Sequence, residues 1–164
     1  MKVTFVDLRI HYKRIKSEID ETIGGVIAAG AFIGGKYVRK FEEEFAVFTG
    51  SKHIIGVGNG TDALILALRS LNFETGFEVI VPANSFIATA EAVTYAGGRI
   101  VFCDVDSKTF LTDLTHAETL VTSRTCAIIP VHLYGQMMDM KKVRYFADRH
   151  GLVIIEDAAQ AHGA

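Results

Sequence analysis

The stretch CAIIPVHLYGQMMDMKKVRYFADRHGLVIIE, residues 126–156, holds one full repeat of the pattern that decides the fold. It opens on the continuous apolar run CAIIPV and closes on a second, LVIIE. Between them Val143, Phe146 and Ala147 recur at three to four residues, which predicts a helix over 139–149. A strand that is apolar at every position is buried from above and below, as in a parallel sheet covered on both faces. Extending the same reading outward predicts strand 52–57, helix 61–71, strand 77–81, helix 86–96, strand 99–102, a short helix near 115–121, strand 125–130, helix 139–149 and strand 152–156. Leu64, Ala67, Leu68 and Leu71 give the first helix an apolar face to match. Strands alternating with helices predict an α/β fold: a three-layer α/β/α arrangement around a mostly parallel sheet.

The first fifty residues do not alternate. Residues 2–10 read as extended. A helix follows over 17–29, with Ile19, Ile23, Val26 and Ile27 on one face and Gly24-Gly25 weakening it. Gly30 to Gly35 supply a turn, and a helix over 37–49 presents Val38, Phe41, Phe45 and Phe48 before Gly50 stops it. The expected division is 1–50 as an N-terminal arm with helices and 51–164 as the start of a larger α/β domain.

Composition excludes several classes of partner. The 164 residues carry 17 Lys+Arg against 19 Asp+Glu, a net charge of -2, and the longest basic cluster is a pair such as Lys141-Lys142. That is no electrostatic footprint for nucleic acid or an anionic bilayer. The apolar runs are strand-sized and the start MKVTFVDLRIHYKR lacks a signal peptide's apolar stretch, so a cytoplasmic protein is expected, without membrane association. Cys103 and Cys126 have neither metal-site spacing nor a disulfide framework and read as buried thiols.

Ligands of open α/β sheets collect beyond the carboxyl ends of the strands, where helix N-termini aim N–H groups at anions. Four loops there carry chemistry. In Gly56-Val-Gly-Asn-Gly-Thr-Asp62 alternate glycines permit a tight turn with exposed amides, and Thr61 and Asp62 can cap the next helix. This is a phosphate cradle or a capped turn without ligand; it matches neither the dinucleotide fingerprint nor the P-loop. Asn84, Ser85 and Phe86 after Pro82 offer polar groups and an aromatic face, or a helix cap and a core ring. His132, Tyr134 and Gln136 follow the next strand. Glu156, Asp157, Gln160 and His162 follow the last one, and an aspartate there can hold a proton on a heterocyclic nitrogen. Asp104 and Asp106 in FCDVD read as turn caps, and no metal site is expected.

In order along the chain stand FVDL (5–8), FIGG and FEEEFA within 32–46, GNGTDALILAL (58–68), VPANSFIATAEAV (81–93), PVHLYGQ (130–136) and EDAAQAHGA (156–164). With these motifs the chain resembles the sugar aminotransferases dependent on pyridoxal 5′-phosphate, of the aspartate-aminotransferase-like fold type I. The resemblance implies that Gly60, Thr61 and Asp62 hold the cofactor phosphate, Phe86 stacks on the pyridine ring, Asp157 pairs with the ring nitrogen and Gln160 meets the phenolic oxygen. His132 and His162 would support the site. Phe32, Ile33 and Gly34, with Tyr12 nearby, would face substrate near a subunit boundary. It further implies a homodimer with shared active sites, glutamate as amino donor and a nucleotide-linked keto-sugar as acceptor, with a 3-keto-6-deoxy sugar on deoxythymidine diphosphate preferred. The alternatives are 4-keto amination, sugar dehydration, an inactive cofactor-binding homologue, or an interaction domain. None of the nine lysines stands in the family's Schiff-base context, so the catalytic lysine is expected beyond residue 164.

Overall fold

A computed structural model describes residues 6–164. The chain forms two compact units, the first ending at Gly56 and the second running from Val57 to Ala164.

The first unit is helical. Helix α1 spans Leu8–Ala28 and α2 spans Lys36–Thr49. The expectation of an extended segment over 2–10 fails at Leu8–Ile10, which are helical, and residues 2–5 lie outside the described residues. The Asp7 side chain accepts the Arg9 amide at 3.0 Å and caps the helix ahead of its apolar stripe. Polar partners on the surface then support the early turns, with Tyr12 donating to Asp20 Oδ1 at 2.6 Å and Lys16 pairing with Asp20. Gly24-Gly25 do not interrupt the helix. A side chain at Gly25 would meet the Tyr37 hydroxyl at 3.2 Å, so the glycine admits the approach of α2. The expected apolar face of α2 is present, with Phe41 and Phe45 stacked at 5.4 Å, but no residue of either helix is fully buried.

The second unit is a four-stranded, wholly parallel sheet between two layers of helices. Its elements are α3 (Gly60–Ser70), β1 (Glu78–Pro82), α4 (Ile87–Tyr95), β2 (Arg99–Cys103), α5 (Leu114–Leu120), β3 (Thr125–Ile128), α6 (Met140–His150) and β4 (Val153–Ile154). Every residue of β1 is buried. Val79 and Val81 pack with Leu64, Leu68, Ala92 and Val93 of α3 and α4, while Ile80 packs on the opposite side with Ala117 of α5 and Phe146 and Ala147 of α6. Burying each of the valine, leucine, isoleucine and phenylalanine side chains stabilises the fold by about 1.5–3 kcal/mol. The expected strand over 52–57 is not one. Its residues join no ladder among the described residues, Ile55 is 80% exposed, and the Gly56 amide turns to Glu42 Oε1 at 2.7 Å. An apolar run becomes a strand only when a neighbour accepts its hydrogen bonds.

The strand order is β2-β1-β3-β4. From β1 the chain crosses to one side to make β2, then returns to build β3 and β4 on the other. The order therefore reverses beside β1, and the crevice beyond the carboxyl ends of β1 and β3 is where such a sheet receives a ligand. Ala83 N–H to Cys103 O at 2.9 Å and Ile129 N–H to Ile80 O at 2.9 Å carry the ladders to that rim. Pro130, with no N–H, interrupts β3 there, and a single bridge between Val131 and Asp157 resumes the pairing.

At the opposite rim the buried Glu78 clamps the start of β1 to the segment before β3. Thr122 donates to it, and Arg124 Nε and Nη2 lie 3.0 and 2.7 Å from Oε1. The Thr122 hydroxyl and then the Arg124 guanidinium hold the Glu78 carboxyl below the usual range. A carboxyl lowered in the folded state stabilises above its unfolded value of about 4.3 and loses that contribution as pH falls through the folded value. Glu78→Gln should therefore cost about 1–3 kcal/mol at pH 7 and less at pH 3, below the unfolded value. Chemical denaturation at both pH values checks this; an equal cost at both would contradict the assignment.

Candidate functional site

The rim beyond the strands is assembled from three loops of the second unit. The first is the turn into α3. Asn59 caps the helix, its Oδ1 accepting the Asp62 amide at 2.8 Å while its carbonyl accepts the Ala63 amide at 3.1 Å. This corrects the expectation that Thr61 and Asp62 are the caps: both lie inside the first turn. Asp62 is committed to Asn59 through its amide and also its carboxylate, which accepts Asn59 Nδ2 at 3.0 Å. The first-turn amides with no acceptor among the described residues are those of Gly60 and Thr61, the positive end of the α3 dipole. A side chain at Gly58 would strike Asp62 Oδ2 at 2.6 Å, whereas one at Gly60 would meet nothing within 4 Å. The turn is closed on one side and open over the free amides.

The second loop follows β1. Phe86 is the N-cap residue of α4 and is 75% exposed, so its ring does not fill the core. One turn later Thr89 is buried, and its hydroxyl donates to Asp157 Oδ2 at 2.9 Å. The Ser85 hydroxyl lies 2.9 Å from Thr89 Oγ1.

The third region joins the segments after β3 and β4. The Asp157 amide donates to Pro130 O at 3.0 Å and its carbonyl accepts the His132 amide at 3.1 Å. Asp157 Oδ1 accepts the Ala159 amide at 3.2 Å. His132 is buried; its Nδ1 accepts the Met138 amide at 3.3 Å, so Nε2 carries the proton and donates to Glu156 Oε2 at 2.9 Å. Gln160 Oε1 accepts the Tyr134 amide at 2.7 Å, with Tyr134 in the left-handed region at φ 58°. A non-glycine residue there is strained, and the glutamine bond is one of the contacts that hold it. His162 is exposed in the final turn.

The structure thus gathers Phe86, His132, Asp157 and Gln160 around linked segments of one rim and opens Gly60 and Thr61 at a helix start in the same unit. Tyr12, Phe32, Ile33 and Gly34 belong to the first unit, where Phe32 and Ile33 are strongly exposed between α1 and α2. Asp106 caps a turn: its Oδ1 accepts the Thr109 and Lys108 amides at 2.8 and 3.0 Å, and the Thr109 bonds first hold its carboxyl low. Asp104 caps none, its Oδ1 accepting the adjacent Val105 amide at 2.8 Å. Among the described residues no three His, Cys, Asp or Glu assemble to hold a metal ion, and no helix is long and apolar enough to cross a membrane. Burial, with Asp113 and Asp104 nearby, pushes the Cys103 thiol up to about 11, too high to serve as a nucleophile at neutral pH. Sequence reasoning missed Asn59 as the cap and Thr89 altogether. The signal for Thr89 was a lone hydroxyl in the apolar helix IATAEAV, one turn after Phe86.

The DegT/DnrJ/EryC1/StrS aminotransferase family matches residues 13–164. A "pleiotropic regulatory protein" of Geobacillus stearothermophilus is 48% identical over 164 residues, 100% of this chain and 44% of the relative. A UDP-N-acetyl-3-dehydro-alpha-D-glucosamine 3-aminotransferase of Acidithiobacillus ferrooxidans is 48% identical over 162 residues, 99% of this chain and 44% of the relative. The chain thus spans less than half the length of the curated relatives it matches. The solved structure of NtdA from Bacillus subtilis, with bound cofactor PMP, superposes with a TM-score of 0.93 at 37% identity, covering 99% of this chain and 38% of that one. The sheet, the loops at its rim and this degree of identity together place the chain in the DegT/DnrJ/EryC1/StrS aminotransferase family.

Proposed function

We propose that this chain is part of an aminotransferase that uses pyridoxal 5′-phosphate to move an amino group from glutamate to a nucleotide-linked 3-keto-6-deoxy sugar. The observation that carries the reading is the Asp157 carboxylate, held at the carboxyl end of the sheet by a residue of the helix that begins at the exposed Phe86 ring. The residues present fit the cofactor. The Gly60 and Thr61 amides offer donors and a dipole for its phosphate, with Asp62 and Asn59 shaping the turn. Phe86 offers a stacking face, Asp157 a fixed carboxylate for a protonated ring nitrogen, and Gln160 a polar side chain for the phenolic oxygen. When bound, the cofactor supplies an electron sink for the carbon that exchanges its proton. His132, fixed between Met138 and Glu156, supports the Asp157 backbone, and His162 lies alongside in sequence. The lysine that carries and returns the proton lies beyond residue 164 in this reading.

In this proposal residues 1–50 form the N-terminal arm and 51–164 the first part of the cofactor-binding large domain of a cytoplasmic homodimer. The exposure of Phe32 and Ile33 supports a substrate-facing loop with Gly34 and Tyr12 near the subunit boundary. The name of the Acidithiobacillus relative supports the 3-keto preference. Deoxythymidine diphosphate is the preferred nucleotide. The name of the Geobacillus relative, a regulatory protein, supports a regulatory role as second reading, which in this proposal is a cofactor-binding homologue without turnover.

The full-length protein should bind pyridoxal phosphate with a visible absorbance that borohydride fixes to a lysine; no such band would remove the cofactor from the proposal, and a fixed band without transamination would favour the second reading. Phe86→Ala should weaken cofactor binding about three- to tenfold, as measured by equilibrium titration. Asp157→Asn should lower transamination on the order of a hundredfold while leaving the melting temperature nearly unchanged, and full activity in that variant would contradict its role. Turnover with matched 3-keto and 4-keto nucleotide sugars should favour the 3-keto substrate. Equal or better use of the 4-keto sugar would reverse the positional preference.

A further inference from the structure

Thr89 is 1% exposed, in a helix whose other buried residues are Ala90, Ala92 and Val93. A helical threonine commonly returns its hydroxyl to the carbonyl one turn back. This one donates instead to Asp157 Oδ2, 68 positions away in sequence, at 2.9 Å. A hydroxyl has one proton, so the 2.9 Å contact with Ser85 must run the other way, Ser85 donating to a Thr89 lone pair. The order of donation is therefore Ser85 to Thr89 to Asp157.

The backbone of Asp157 is already fixed through Pro130 O and the His132 amide. What remains free is the rotation of the carboxylate, a torsion with broad minima. Ala159 N–H takes Oδ1 and Thr89 takes Oδ2, so both oxygens have an assigned neighbour and lone pairs left over. Thr89 also donates its amide to Phe86 O at 3.1 Å, so the helix turn that presents the aromatic face is the one that turns the carboxylate.

We infer that Thr89 is a positioning residue for the cofactor, aiming the Asp157 carboxylate at the protonated ring nitrogen, and that Ser85 holds the Thr89 hydroxyl in the rotamer that does so. The inference rests on the pyridoxal phosphate reading above. One turn of α4 thus carries both the aromatic face and the hydroxyl that orients the carboxylate. A purely structural threonine would serve only to fill space and to satisfy its own hydroxyl.

The test uses the full-length protein with Thr89→Val, which keeps the shape and removes the hydroxyl, Thr89→Ser, which keeps the hydroxyl, and Ser85→Ala. Three quantities are read: the dissociation constant for pyridoxal phosphate, the pH midpoint of the visible absorbance of the bound cofactor, and the melting temperature of the cofactor-free protein. Thr89→Val should weaken cofactor binding about tenfold, as expected for a hydrogen bond to a charged group, and shift the pH midpoint. Thr89→Ser should stay near wild type on both readouts, with Ser85→Ala between the two. Wild-type binding and midpoint in Thr89→Val, equal damage from valine and serine, or losses that simply follow the melting temperature would each overturn the inference. Should Thr89→Val fail to fold, Ser85→Ala against wild type decides, and an unshifted midpoint there overturns it. Failure of the wild type to bind pyridoxal phosphate is the separate result that sinks the functional reading itself, and this inference with it.

Discussion

Burial of β1 on both faces constrains everything else in the second unit. Val79 and Val81 need an apolar layer on one side and Ile80 on the other, so α3 and α4 cover one face while α5 and α6 cover the other. Every connection must then cross over, and crossovers between parallel strands bring all the carboxyl ends to one rim. Residues far apart in sequence, Phe86, His132 and Asp157, come to that rim because the core demands covered strands. Replacing Ile80 with alanine would cost about 2–5 kcal/mol and loosen the rim from beneath.

At the rim, hydrogen bonds replace packing as the organising force. The ladder ends at Pro130, and the Val131–Asp157 bridge continues it for one step. That step sets the backbone of Asp157, and the hydroxyls of Thr89 and Ser85 are arranged to set its side chain. His132 is enclosed between a backbone donor and Glu156, so it acts as a strut with a defined tautomer. The start of α3 works differently: Asn59 satisfies one amide and leaves two, and an unsatisfied helix start attracts an anion.

Much of this was legible in the residues. The continuous apolar runs announced a parallel sheet, and the periodicity around Val143, Phe146 and Ala147 located α6 to within a residue at each end. The rim loops were found because chemistry-bearing residues followed each run. Pairing was not legible: the run at 53–57 has the composition of a strand, but strand formation depends on a neighbour that local sequence does not reveal. The early turns of α1 were missed because their support is a cap at Asp7 and surface ion pairs, not apolar spacing. Thr89 was passed over since a threonine among alanines carries no period, and its partner lies on the far side of two crossovers.

The most direct measurement is a crystal structure of the full-length protein grown with pyridoxal phosphate. The ring should lie against Phe86 with its nitrogen at about 3 Å from Asp157, and the phosphate should accept the Gly60 and Thr61 amides. A ring nitrogen facing solvent, or a phosphate bound away from the start of α3, would contradict the assignment of this rim as the cofactor site.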